Sequence, residues 1–264
     1  MNARASSPAN APAGGSANTA APARDRVLAQ TRFEATTLLR NGEQLLVAIV
    51  LPAMALVGLA LSSTPSLGAG RRIDVAVPGV LALAVISTAF TGQAISTAFD
   101  RRYGVLRLLG VSPLGRSGLL VAKALAVLTI ELLQFIVIGA LGLALGWHPH
   151  WLGLFPAALL ALVGTWTFVA LALLLAGTLR AEGVLALANL IWILLLGLGG
   201  VIVPPGQLPA GLSHLATLLP SGALADGLRL AFLGGGLAAV PLLVLVAWGA
   251  VATYLASRTF RWSD

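Results

Sequence analysis

Residues 132–179 run for 48 positions without a charged side chain. A soluble domain carries about a quarter charged residues, so a stretch like this needs lipid as its solvent. It is also too long for one crossing, which takes roughly 20 apolar residues. The rest of the chain repeats the pattern, with 58% of the 264 residues hydrophobic and only 9% charged. The formal charge of +7 does not point to nucleic acid. The basic residues sit between long uncharged runs, as they do in cytoplasmic loops of membrane proteins. There is no cysteine, which excludes disulfides, thiolate metal sites and cysteine nucleophiles.

The uncharged intervals predict an all-α membrane protein with six transmembrane helices. The expected spans are roughly 44–63, 75–99, 116–145, 153–176, 183–203 and 236–256. Gly146-Trp147-His148-Pro149-His150 separates the third from the fourth, and Pro204-Pro205-Gly206 ends the fifth. Residues 1–24, rich in Ala, Pro, Ser, Gly and Asn, read as a disordered cytoplasmic tail. They are not a secretory signal, because no apolar core appears until Leu45. Residues 25–264 then form one membrane domain. Only one basic residue is a lysine, Lys123. With the N-terminus inside, twelve arginines fall in cytoplasmic segments, against Arg71, Arg72 and Arg229 outside. That bias predicts both termini in the cytoplasm.

Three segments do not span. In residues 26–40, Val27, Leu28, Thr31, Ala35, Leu38 and Leu39 share one helical face, and Arg26, Gln30, Glu34, Thr37 and Arg40 the other. Such a helix lies in the membrane interface, as a simple anchor or as an elbow against a partner. Residues 100–116 form a loop longer than a reversal needs. It is basic and partly apolar, with Val105, Leu108 and Leu109 on one stripe and Tyr103 and Arg107 opposite. It reads as a docking segment or as a solvated positive loop. Residues 208–219 and 221–233 are apolar but too short to cross, so they are expected as re-entrant or interfacial helices on the outer side. There they shape an exit gate or plug the bundle.

Catalytic signatures are sparse. Lys123 is preceded by Leu-Leu-Val-Ala and followed by Ala, so no G-x-x-x-x-G-K-[ST] loop cradles a nucleotide phosphate. The histidines are His148, His150 and His214, without H-E-x-x-H spacing for zinc. Gly115-Arg116-Ser117-Gly118 resembles the nucleophile motif of rhomboid intramembrane proteases. Acyl transfer needs a base within reach of the serine, and residues 236–256 hold no histidine. Ser117 is equally an ordinary helix N-cap.

Glu131 is the ionisable residue well inside a span. It lies roughly 22 Å along the helix from Arg116 at 1.5 Å per residue. A charge near the bilayer centre costs at least about 2.5–3.5 kcal/mol, so it should face protein or water. Gln134 shares its face. Thr88, Thr91 and Gln93 of the second span and Asn189 of the fifth are the expected partners, and together these six residues are the candidate substrate path. Lys123, on roughly the same side but nearer the cytoplasmic end, can snorkel. Glu131 reads as a buried clamp, a gating or substrate-facing group, or a proton-coupling carboxyl. An ion-coupled secondary carrier usually needs several such groups.

These features in combination resemble the ABC-2 type permeases, particularly the actinobacterial drug-resistance permeases of the daunorubicin type. The interfacial helix is followed by Asn41-Gly42-Glu43-Gln44. The second span carries Ser87-Thr88-Ala89-Phe90-Thr91-Gly92-Gln93 and runs through Phe99 and Asp100 to Ser112-Pro113. Leu219-Pro220-Ser221-Gly222 precedes the last span. The preference for arginine and alanine suits a GC-rich actinobacterium. The resemblance implies an exporter subunit in a bacterial plasma membrane, moving an amphipathic drug-like or lipid-like substrate. It implies pairing with a second permease, identical or paralogous, and with two cytoplasmic ATPase subunits that hold the ATP and Mg; this chain itself needs no cofactor. It makes Asp100, Arg101, Arg102, Tyr103, Gly104, Val105, Leu106, Arg107 and Leu108 the coupling helix that docks the ATPase.

Overall fold

A computed structural model describes residues 21–110 and 112–261, without the side chains of Glu43, Gln44 and Arg116. The expected tail lies outside these residues except for its last four. Among the described residues there are helices and no strand, as expected of an all-α membrane protein.

Helix α1 (Ala23–Arg40) is the segment expected at the membrane interface. Helix α2 continues from Gly42–Leu45 through a π-helical stretch, Leu46–Val50, into Leu51–Leu61. Helix α3 (Arg72–Arg102) contains a second π-helical stretch, Ile86–Gly92. The short α4 (Val105–Gly110) follows, then α5 (Gly115–Ala144), α6 (Leu154–Thr178) and α7 (Ala181–Leu198). Two short helices, α8 (Ala210–Leu218) and α9 (Pro220–Gly234), precede α10 (Ala239–Thr259).

Among the described residues five helices, α3, α5, α6, α7 and α10, are long and apolar enough to cross a bilayer. The expected first span differs. Its apolar stretch, Leu46–Leu61, is 16 residues, or about 24 Å, short of a core of about 30 Å. The fifth is shorter than expected as well. It stops at Leu198 because Gly199 and Gly200 follow, and Gly200 turns the chain with φ of 66°.

Helix α3 is the centre of the bundle. From Ala76 to Ile86 every side chain is buried, against α2, α5, α6, α7 and α9. The outer faces of the other spans present leucine, isoleucine and phenylalanine, such as Leu132, Ile136 and Phe155, as lipid requires. The structure separates the two short helices. Helix α8 is largely exposed, whereas α9 is buried along most of its length between α3, α6 and α10. Its entry is tight: a Cβ on Gly222 would meet the Ala216 carbonyl oxygen at 2.0 Å, and Ser221 donates to the Leu195 carbonyl at 3.1 Å.

Several arginines counted as topology charges have a different task. The last carbonyls of a helix lack intrahelical partners and attract cations. Arg72 donates to the carbonyls of Leu59 (3.2 Å) and Pro65 (2.9 Å) at the end of α2. Arg101, 4% exposed, donates to Ala176 (2.7 Å) and Leu179 at the end of α6. Arg229, also 4% exposed, donates to Gly200 (2.9 Å), Val201 and Ile202 beyond α7 and pairs with Asp226 at 3.0 Å. Arg229, counted among the outer charges, is thus buried in hydrogen bonds to the turn that follows α7.

Candidate functional site

The two π-helical stretches face each other across a cavity of about 590 Å³ bounded by α1, α2, α3, α5 and α7. A π-turn widens the helix and is often found at functional sites. Here it turns Ser87, Thr88, Thr91 and Gly92 of α3 toward Val47 and Ala48 of α2. Below them lie Gln93 and Ser96. Helix α5 contributes Lys123, Ala126, Val127 and Ile130, and α7 contributes Asn189, Trp192 and Leu196. Leu51, Pro52, Ala55 and Leu83 complete an apolar wall.

The polar groups of this wall are mostly held in place. Trp192 Nε1 donates to Ser87 Oγ at 3.0 Å, and Ser87 Oγ donates to the Leu83 carbonyl at 2.8 Å. Gln93 Nε2 donates to Thr97 Oγ1 at 2.9 Å. Asn189 Nδ2 bonds its own helix at the Leu185 carbonyl, 2.8 Å away. Thr91 lines the cavity, with its hydroxyl oxygen buried and without a protein partner.

Of the six expected path residues, Thr88, Thr91, Gln93 and Asn189 line this space. Gln134 sits behind it, fully buried, with Nε2 3.0 Å from Thr88 Oγ1 and 2.8 Å from the Ala48 carbonyl. Glu131 is elsewhere. Three residues of helix leave side chains roughly 60° apart, so Glu131 turns to α6, where its Oε2 lies 2.5 Å from Thr165 Oγ1. Its other carboxyl oxygen has no partner. The expectation that Glu131 meets Thr88, Thr91, Gln93 or Asn189 is corrected to Thr165, a residue the sequence reading missed because nothing in an apolar run marks which helix comes alongside.

Lys123 does not snorkel. It is 3% exposed and forms ion pairs with Asp100 (2.6 Å) and Glu34 (3.2 Å). The three residues come from α5, α3 and α1, and Glu34 also accepts from Gln30 at 3.0 Å. This charged junction closes one end of the cavity. A second cleft of about 410 Å³ lies beyond it, lined by Glu34, Asp100, Phe33, Val105 and Leu109. Glu34, Leu38, Gly92 and Ser96 belong to both spaces.

The segment after α3 is also sorted by burial. Gly104, with φ of 74°, turns the chain from α3 into α4. Asp100 is half-buried and Arg101 buried, each held by the partners above, and Leu106 is buried. Arg102, Tyr103, Val105, Arg107 and Leu108 face outward, with Arg102 paired to Glu182 at the start of α7.

With this arrangement in hand, a profile of the ABC-2 type transporter family matches residues 26–233. The chain belongs to the ABC-2 type transporter family. A search of curated proteins found no match. The match runs from α1 into α9, so it takes in the interfacial helix, both π-helical stretches, the charged junction and the outward-facing α4. The protein is thus the membrane-embedded, non-catalytic permease subunit of an ABC transporter, working with an ABC ATPase. In the permease, the polar groups that line the cavity come from α1, α3, α5 and α7, and the backbone that shapes it comes from the two π-helical stretches.

Proposed function

We propose that this permease is the transport path of an ATP-driven exporter that moves an amphipathic drug-like or lipid-like substrate out of the cytoplasm or inner leaflet of a bacterial plasma membrane. The observation that carries the reading is the cavity. Its volume of about 590 Å³ falls in the range of about 300–1,000 Å³ for small-molecule sites. Its walls are mainly aliphatic with a few hydroxyls and amides, which suits an amphipath better than a sugar or a bare ion. The resemblance to daunorubicin-type permeases points the same way, toward multidrug efflux and antibiotic resistance.

In this reading both termini and the α3–α4 turn are cytoplasmic. Arg102, Tyr103, Val105, Arg107 and Leu108 form the face on which the ATPase docks, and Asp100, Arg101 and Leu106 hold that face to the bundle. Two ATPase copies and a second permease, identical or paralogous, complete the transporter, and ATP with Mg is bound by the ATPase. ATP binding favours one arrangement of the bundle and substrate release the other, each only by its differential affinity for the two.

The test is co-purification of an ATPase with the tagged permease, followed by reconstitution into vesicles. We expect amphipathic dyes to stimulate hydrolysis and to accumulate inside inverted vesicles when ATP is supplied. Accumulation driven by an ion gradient, without ATP, would overturn the reading in favour of a secondary carrier.

A further inference from the structure

We propose that Glu34 and Asp100 form a subsite for the cationic head of the substrate, and that Lys123 is its resident counter-ion. The inference rests on the transport reading above and narrows its substrate class to amphipathic monocations.

Charge bookkeeping across both clefts leads there. Among the described residues, their ionisable lining residues are Glu34, Asp100 and Lys123, one cation against two carboxylates. Two arginines beside Asp100 are engaged elsewhere: Arg101 on the end of α6 and Arg102 with Glu182. The Lys123 ammonium is 3% exposed and already meets two carboxylates, so an anionic head would find its cation taken and two negative charges beside it. A cationic head finds carboxylates that are still accessible, with 19% and 29% of their side chains exposed. Glu34 lines both spaces, so a head at this point leaves the tail room in the apolar cavity. The substrate cation shares Glu34 and Asp100 with Lys123, so that two positive charges meet two negative ones.

The experiment uses two ions of one shape and opposite charge, tetraphenylphosphonium and tetraphenylborate. Their binding to the purified full-length permease is measured in dodecyl maltoside, which carries no charge and no ammonium group, with empty micelles subtracted. No ATPase is needed, so the result is independent of whether one co-purifies. We expect wild type to bind the phosphonium at least about tenfold more tightly than the borate, since like charges brought together cost several kcal/mol. Glu34→Gln with Asp100→Asn should abolish that preference, and Lys123→Gln should strengthen phosphonium binding. Equal affinities for the two ions in wild type, or tighter binding of the borate, would overturn the proposal. So would unchanged phosphonium binding in the doubly neutralised variant. Where the double variant does not fold, Glu34→Gln or Asp100→Asn alone is measured: each should reduce the preference, and an unchanged preference in both overturns the proposal.

Discussion

Gln134 Nε2 lies 2.8 Å from the carbonyl oxygen of Ala48, and the same nitrogen lies 3.0 Å from Thr88 Oγ1. One amide on α5 therefore ties together the π-helical stretches of α2 and α3, the two walls that define the cavity. Gln134 has no exposed surface, so losing it strands a carbonyl and a hydroxyl away from water. Gln134→Leu should lower stability by about 1–3 kcal/mol, read as a fall in melting temperature of the purified permease. A melting temperature equal to wild type would show that the amide does not brace the two walls.

Glu131 and Thr165 make a separate clamp between α5 and α6, outside the cavity. A glutamine at 131 presents both a donor and an acceptor to the Thr165 hydroxyl. Glu131→Gln should therefore assemble and export like wild type. Thr165→Val removes the partner and should cost about 1–3 kcal/mol. If Glu131→Gln assembles normally but changes transport or substrate range, the carboxyl is a working group and the clamp assignment fails.

Arg101 and Arg107 lie six residues apart and should fail in different ways. Arg101 holds two carbonyls at the end of α6, and hydrogen bonds from a charged donor contribute about 1.5–3 kcal/mol. Arg101→Met should lower the melting temperature and the yield. Arg107 is exposed, so Arg107→Glu should leave the melting curve in place while weakening capture of the ATPase. Pull-down and thermal melting on both variants separate the two roles, and unaltered ATPase capture by Arg107→Glu would remove α4 from the docking face.

The orientation can be read with single cysteines, because the chain has none of its own. Leu108 and Leu152 are exposed, 72% and 76%, on either side of the 30-residue α5. In intact cells an impermeant maleimide should label Leu152→Cys and leave Leu108→Cys unlabelled until the membrane is opened. The reverse pattern would invert the proposed topology.

Much of this was decided by the sequence alone. Lipid is the only solvent that accommodates residues 132–179, where backbone polar groups must pair in helices or closed barrels, and an apolar run far longer than a barrel strand of about 10 residues selects helices. The break at Gly146–His150 and the docking-like segment after the second span were equally legible, because glycine, proline and charge mark them locally. Pairing between helices was not. Lys123 has the same composition around it whether it reaches the membrane surface or two carboxylates from other helices. Only the packing of α1 and α3 against α5 made it an ion-pair centre. Arginines read the same in a loop whether they face water or cap a helix end, and it took the proximity of the α6 and α7 termini to bury Arg101 and Arg229. Glu131 met Thr165 and not the second span because helical angle and helix neighbours, neither of which is carried by a local pattern, set where a side chain points.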